Sequence, residues 1–430
     1  MKKTGLFLGA VMATALLFSC ATTAGNSGAS TSESKDEGTK VAQKSKHPLG
    51  IADDVYQTYL DKSFVTTGNN YRVKKVLEKI RNGEQVYVAA LGGSVTEGAG
   101  PASYLDGYAY QFNKKLKAAY APSGSDNIKF DGAGLSGTPS MLGLIRYQAD
   151  VVDVLGHTPD LLIIEFAVND DASSANRRAF EQLIRQAYLA DENTAVIALY
   201  SAATYGNQAM GMKPIADYYG VPQVNVLTLV KAATSAGLFT EKQYYSDYVH
   251  PTKEGHEIQA DCIMNVLSKI DAEELAEKKD VPEKSYNRNS FDNFARITGD
   301  NDDVKIDAGS FKGTDSATQS IQKTKKGNFP QNWYHESGSE SFVMDINCKS
   351  LLFVYKVQGS WLSKKFGKAE VYVDGKLVDT YDGGAAGGWC NCEPRIIIDN
   401  SESASHHVEV KMASGSEGSG FTIVAMGYNK

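Results

Sequence analysis

Residues 86–98 read Val86-Tyr-Val-Ala-Ala-Leu-Gly-Gly-Ser-Val-Thr-Glu-Gly98, an apolar run that breaks into a glycine-framed turn presenting a serine. A run such as 86–91, with no regular polar alternation, suits a strand buried on both faces, as in a parallel sheet sandwiched by helices. Ser94 then stands at the C-terminal edge of that strand, where open α/β folds build their sites. Taken alone, a serine in a glycine-rich turn is an ordinary turn residue. Position 96 is threonine, so the Gly-x-Ser-x-Gly elbow is absent and the α/β-hydrolase reading weakens.

The flanks extend the pattern. Val73, Val76, Leu77 and Ile80 recur at helical spacing and predict an amphipathic helix over 71–82, closed by Gly83. Downstream, helices are expected at 108–119, 140–155, 175–189 and 212–219, and strands near 128–130 and 224–226 and at 161–166 and 195–200. A last helix from Pro251 puts Ile258, Cys262, Ile263, Val266, Leu267 and Ile270 on one face. With the strand at 86–91 these make five parallel strands and their covering helices, a doubly wound α/β sandwich.

Two further motifs carry chemistry. Residues 128–139 contain a Gly-x-Gly-x-x-Gly pattern at Gly132, Gly134 and Gly137. Its freed backbone N–H groups suit either a nucleotide cradle or an oxyanion. Asp247-Tyr-Val-His250 places an acid and an imidazole three apart before the last helix, so a carboxylate can hold Nδ1–H while Nε2 takes a serine proton. By itself the pair also reads as a helix cap beside a surface histidine. Ser136, Cys262 and His256 are assigned to packing or surface.

Gly92-Gly-Ser94, Gly134, Asn169-Asp170 and Asp247-x-x-His250 fall in the order of the SGNH/GDSL hydrolase superfamily, which this chain resembles over about residues 68–272. The stretches 70–79 and 159–170 also look like segments of one bacterial subgroup of these esterases. The resemblance implies a flavodoxin-like three-layer α/β/α domain with a five-stranded parallel sheet. It makes Ser94 the nucleophile, His250 the general base and then acid, and Asp247 the residue orienting His250. It supplies three oxyanion donors, the backbone N–H groups of Ser94 and Gly134 and the side-chain amide of Asn169, each contributing about 2–4 kcal/mol. It also favours an oxyanion role for the glycines of 132–137 over a dinucleotide fingerprint. No metal or organic cofactor is needed. The chain departs from the family at Gly93, where aspartate is frequent, and at Ala167, where glycine is frequent; the Ala167 methyl narrows the backbone approach beside Asn169.

Residues 273–288 are charged, contain Pro282 and mark a linker between a hydrolase domain at 48–272 and an accessory domain at 289–430. Beyond the linker, β-rich runs at 342–348, 351–357, 369–373, 376–381, 395–399, 407–412 and 421–426, with a hairpin turn at Asp374-Gly375, predict an antiparallel β-sandwich of the jelly-roll kind. Residues 371–379 and 407–411 resemble galactose-binding-like accessory domains. All three tryptophans, Trp333, Trp361 and Trp389, lie here. Aromatic faces in loops suit sugar rings, and Trp389, set among glycines, is the candidate sugar contact.

The first nineteen residues join Lys2 and Lys3 to an apolar run and precede Cys20, the arrangement of a lipoprotein leader. Lipidation at Cys20 and a flexible tether over 20–47 are expected, with export to the cell envelope at the outer membrane or cell surface. The formal charge of −7 grows more negative once both lysines are removed, which disfavours a nucleic-acid partner. Cys262, Cys348, Cys390 and Cys392 show no zinc spacing, and a bridge from Cys348 to Cys390 or Cys392 is expected to be available outside the cytoplasm. These features together predict a serine esterase acting on O-acetyl groups of a polysaccharide or oligosaccharide. The alternatives are a lipase, lysophospholipase or thioesterase, and a surface carbohydrate-binding protein with an inactive hydrolase domain.

Overall fold

A computed structural model describes residues 49–287, 291–300, 304–319, 323 and 329–429. The leader 1–19, Cys20 and the tether 20–47 lie outside the described residues. Among the described residues, no helix is long and apolar enough to cross a membrane.

The first half of the chain runs α1 (Asp53–Ser63), β1 (Phe64–Thr66), α2 (Tyr71–Arg81), β2 (Val86–Gly92), α3 (Ser94–Glu97), α4 (Tyr108–Tyr120), β3 (Ile128–Gly134) and α5 (Ser140–Tyr147). A π-helical turn over Gln148–Val152 leads into α6 (Asp153–Leu155), then β4 (Leu161–Glu165), α7 (Ser174–Ala190), β5 (Ala195–Tyr200), α8 (Ala209–Tyr219), β6 (Gln223–Asn225), α9 (Val226–Ser235), α10 (Glu241–Tyr244) and α11 (Lys253–Ala272). The sheet order is β1-β6-β5-β4-β2-β3. Strands β2 to β6 are parallel, in the flavodoxin-like order of a doubly wound fold. The five expected parallel strands are all present, joined by an antiparallel edge strand, β1, that covers β6. Three residues are too short to show alternation in the sequence.

One face of the sheet carries α1, α2, α4, α9 and α11, and the other α5, α7 and α8, each over its own apolar core. Val226, Leu229, Val230 and Ala233 line the buried side of α9, a helix where only a strand near 224–226 was expected. The strand expected to stop at Phe130 runs on to Gly134, because Gly132 and Gly134 pair in parallel register with Ala90 and Gly92. The helix expected from Pro251 begins at Lys253, capped by Thr252 Oγ1 at 3.0 Å from Gly255 N, while Pro251 bridges to Tyr245.

The second half forms one antiparallel sheet from β7 (Phe294–Ile297), β8 (Ile306–Asp307), β9 (Trp333–His335), β10 (Phe342–Val357), β11 (Lys368–Val373), β12 (Lys376–Asp382), β13 (Asn391–Met412) and β14 (Phe421–Asn429). The two runs expected at 342–348 and 351–357 are a single strand, as are 395–399 and 407–412. Each pair is joined across irregular register, which breaks the alternation seen in the sequence. Asp374 and Gly375 both take positive φ, as the hairpin turn requires.

Strand β10 explains how the two halves meet. Its first part alternates, with Asp345 and Asn347 exposed and Phe342, Met344, Ile346 and Cys348 buried. From Ser350 to Val357 every residue is buried, because both faces are covered. Leu351, Phe353, Tyr355 and Val357 enter the sandwich core, whereas Leu352 and Val354 join the core beneath α5 and α7. Phe291, Phe329, Val424 and Ala425 do the same.

Residues 273–287 of the segment expected as a linker are held as well. Buried Glu181 of α7 accepts Asn287 N at 2.9 Å and Asn287 Nδ2 at 2.7 Å. Arg185 reaches Pro282 O at 2.9 Å and Asp292 Oδ1 at 3.1 Å. Arg178 grips Asp399 through two bonds of 2.6 and 3.0 Å. The boundary expected as a linker is thus a strap clamped to α7.

All four described cysteines are free. Cys348 and Cys392 cannot be bridged: Cys392 pairs with Lys356, eight residues along β10 from Cys348 and therefore about 26 Å away. Cys390 Sγ instead faces Gln358 Oε1 at 3.9 Å.

Candidate active site

The turn after β2 builds the centre of the site. Gly93 adopts φ −87° and ψ −148°, and Ser94 opens α3, so its N–H belongs to the first helical turn, where backbone donors lack intrahelical partners. Gly134 on neighbouring β3 lies directly against α3. A Cβ there would sit 2.0 Å from Glu97 N. Leu135 N–H bonds Gly92 O at 3.1 Å, so by strand alternation Gly134 N–H points away from that ladder.

Ser94 Oγ and His250 Nε2 are 2.8 Å apart, and His250 Nδ1 is 2.6 Å from Asp247 Oδ2. The other carboxylate oxygen, Oδ1, accepts the N–H groups of Val249 and His250, each at 2.8 Å. This closes the Asp-x-x-His loop on itself and fixes the carboxylate plane. Burial acts to raise the Asp247 carboxyl, but the N–H groups of His250 and Val249 and the imidazole outweigh it and hold it below the usual range. Asp247 stays ionised and fixes a proton on Nδ1, leaving Nε2 facing Ser94.

Asn169 closes the site from the β4 side. Its backbone N–H bonds Phe166 O at 2.9 Å, and its Oδ1 is buried without a hydrogen-bond partner against Gly93. A Cβ at Gly93 would lie 2.0 Å from that oxygen. Glycine at 93, the departure from the frequent aspartate, is therefore what lets Asn169 occupy its place. Ala167 is buried in the core under α5 and α7, and its carbonyl accepts Gln208 N at 2.8 Å. Ser94, Gly134 and Asn169, from the ends of β2, β3 and β4, thus converge with Asp247 and His250 from the loop between α10 and α11.

Beneath the turn lies a network that sequence reasoning missed. Glu165, fully buried at the end of β4, accepts the Thr96 hydroxyl at 2.9 Å, and Thr96 Oγ1 is 2.8 Å from Tyr108 Oη. Burial pushes the Glu165 carboxyl up to about 7, against the hydroxyls of Thr96 and Ser201 and the N–H groups of Gly93 and Thr96. A glutamate ending the apolar run Leu161-Leu-Ile-Ile-Glu165 was the available signal. Asp170 is also driven up to about 7 by burial while bonding Ser140 N at 2.7 Å and Oγ at 2.6 Å. His256 accepts Tyr108 N at 3.1 Å and donates to Ala99 O at 3.0 Å; burial holds it down to about 4, a packing role as expected. Cys262 is likewise buried in the core, while Ser136 joins the boundary between the halves.

The accessory half reaches the same edge. A Cβ on Gly137, just past β3, would lie 2.7 Å from the Trp389 ring, and Gln319 Nε2 bonds Ser136 O. Trp389 is partly exposed and Trp361 more so, whereas Trp333 is buried in the sandwich core. The loops bearing Trp361 and Trp389 are tied by Ser360 N to Gly388 O at 3.3 Å.

A parallel α/β sheet that presents a hydrogen-bonded serine, histidine and aspartate at its C-terminal edge defines a serine hydrolase. Residues 90–258 match the model of the GDSL-like lipase/acylhydrolase family, and the domain that contains them is similar to the SGNH hydrolase superfamily. Both halves together resemble the crystal structure of a two-domain esterase (CEX) active on acetylated mannans, co-crystallised with mannopentaose. That likeness has a TM-score of 0.75 and 25% identity over 86% of this chain and 98% of the other. A second structure described as the same kind of esterase gives a TM-score of 0.74 and 24% identity over 86% and 99%. Comparison with curated proteins gives no match.

Proposed function

We propose that the protein is a serine esterase that removes O-acetyl groups from a polysaccharide or oligosaccharide through an acyl-enzyme. The observation that carries this is the unbroken Ser94–His250–Asp247 chain, set beside an accessory domain whose Trp389 packs on the loop following Gly134. The two-domain relative active on acetylated mannans supports the glycan class.

Ser94 Oγ attacks the ester carbonyl while its proton passes to His250 Nε2. The charge that develops on the carbonyl oxygen is met by the N–H groups of Ser94 and Gly134 and by the Asn169 amide. Collapse breaks the bond to the sugar oxygen, which leaves with the proton held on His250. Water then gives its proton to Nε2 and attacks the acyl-serine; collapse breaks the bond to Ser94 Oγ, which takes the proton back from His250 as acetate leaves. Asp247 remains ionised and stabilises the imidazolium that forms in each half. Trp389 offers its ring to the sugar, and lipidation at Cys20, on the tether 20–47, would keep the enzyme at the envelope.

The test is acetate release from acetylated mannan and xylan, alongside p-nitrophenyl esters of increasing chain length. Preference for acetyl with acetate from a glycan, abolished in Ser94→Ala, is the expected result. Rates that climb with chain length and no acetate from any glycan would make the protein a lipid esterase.

A further inference from the structure

Two large aromatic side chains stand in solvent at the rim of the Ser94 site. Tyr205, after β5, is 61% exposed, and Tyr248, between Asp247 and His250, is 66% exposed. Their ring centroids are 6.2 Å apart with planes inclined at 44°. Neither dangles. Tyr205 Oη donates to Val168 O at 2.9 Å, one residue before Asn169. The N–H and hydroxyl of Thr204 both bond Tyr248 O, at 3.0 and 2.9 Å. The loop that holds the imidazole and the loop that follows β5 are thus tied together, with a ring fixed on each.

Ring faces held in water beside a reaction centre leave apolar area uncovered that a bound molecule can cover. An acyl chain would gain most from an enclosed channel, whereas these rings are about two-thirds open. A partner with an apolar face and a polar rim, itself still bathed in water, fits that degree of exposure. A pyranose ring has this character, with axial C–H bonds on one face and hydroxyls around its edge.

Sheet order places the pair relative to Trp389. Trp389 packs beyond β3 and Tyr205 follows β5, and three strand spacings, about 14 Å, separate those strands with Ser94 between them. We propose that Tyr205 and Tyr248 form a stacking platform on the hydrolase domain for a pyranose ring of the substrate, on the flank of Ser94 opposite Trp389. This rests on the glycan-esterase reading above. A chain lying across the site then meets aromatic surface on both flanks of its acetylated residue, and internal acetyl groups are accepted as readily as terminal ones.

The experiment compares kcat/KM on acetylated manno-oligosaccharides and on p-nitrophenyl acetate for the wild type, Tyr205→Ala, Tyr248→Ala and Tyr248→Phe. Each alanine substitution is expected to lower the oligosaccharide value about tenfold more than the aryl-ester value, mainly through KM, with phenylalanine at 248 restoring most of it. Equal losses on both substrates would overturn the platform and leave the tyrosines as supports of the His250 loop. A wild type active on the glycan with alanine variants unimpaired would overturn it too, while the glycan reading stands. A wild type inactive on every glycan would remove both.

Discussion

Glu165 makes stability depend on pH in a way that one substitution isolates. In the folded protein its carboxyl is raised from 4.5 to about 7 by complete burial under the Ser94 turn. The fold therefore favours the protonated form. This contribution is fully present below about 4.5 and is lost as pH rises through 7, where folding must bury the anion. A rise of that size corresponds to about 3 kcal/mol between pH 4.5 and pH 8. In Glu165→Gln the amide cannot ionise, so this slope disappears, whatever fixed cost the amide adds at low pH. His256, lowered by burial, titrates in both proteins and cancels in the difference, while Asp170, raised by burial and in part by the Glu165 charge, loses that part in the variant and changes the slope in the same direction. Thermal unfolding followed by circular dichroism at half-unit steps from pH 4.5 to 8 reads the effect. The wild type should lose about 5 °C relative to the variant across that range. Parallel curves would refute the assignment of a buried proton to Glu165.

Four other outcomes are expected. Gly93→Ala should push Asn169 from its place and lower kcat about 10²–10³-fold, the cost of one oxyanion donor, with KM little changed; an unaltered kcat would show that Asn169 plays no such part. Asp247→Asn should cost about 10⁴-fold in kcat, measured on p-nitrophenyl acetate, because the imidazole then takes the wrong tautomer. Asp399→Ala takes the two-bond carboxylate from buried Arg178 and, because Asp399 is itself partly in water, should destabilise the protein by about 1.5 kcal/mol in urea unfolding; unchanged stability would show that the pair does not hold the halves together. A fragment ending at residue 287 should aggregate or bind hydrophobic dyes, since the core beneath α5 and α7 is completed by Phe291, Leu352, Val354 and Val424; a monomeric, cooperatively folding fragment would contradict the shared core.

The sequence by itself determined what depends on local order. Apolar runs bounded by turns revealed the parallel strands, helical spacing revealed α2, α7 and α11, and Asp374-Gly375 revealed its hairpin, because each pattern is written within a few residues. The site residues were legible for a related reason: Ser94, Gly134, Asn169 and His250 each sit at or just beyond the end of a strand or the start of a helix, and the doubly wound fold carries all such ends to one edge. Tertiary structure alone decided the rest. That the Phe421–Met426 run lacks alternation is visible in the sequence, yet only the packed chain shows that its second face is covered by the hydrolase half. The same distance in sequence hid the strap clamped by Glu181 and Arg185, the Trp389 contact with Gly137 and the separation of Cys348 from Cys392. The upward push on the Glu165 carboxyl likewise follows from burial on all sides, a property of the assembled layers rather than of any stretch of residues.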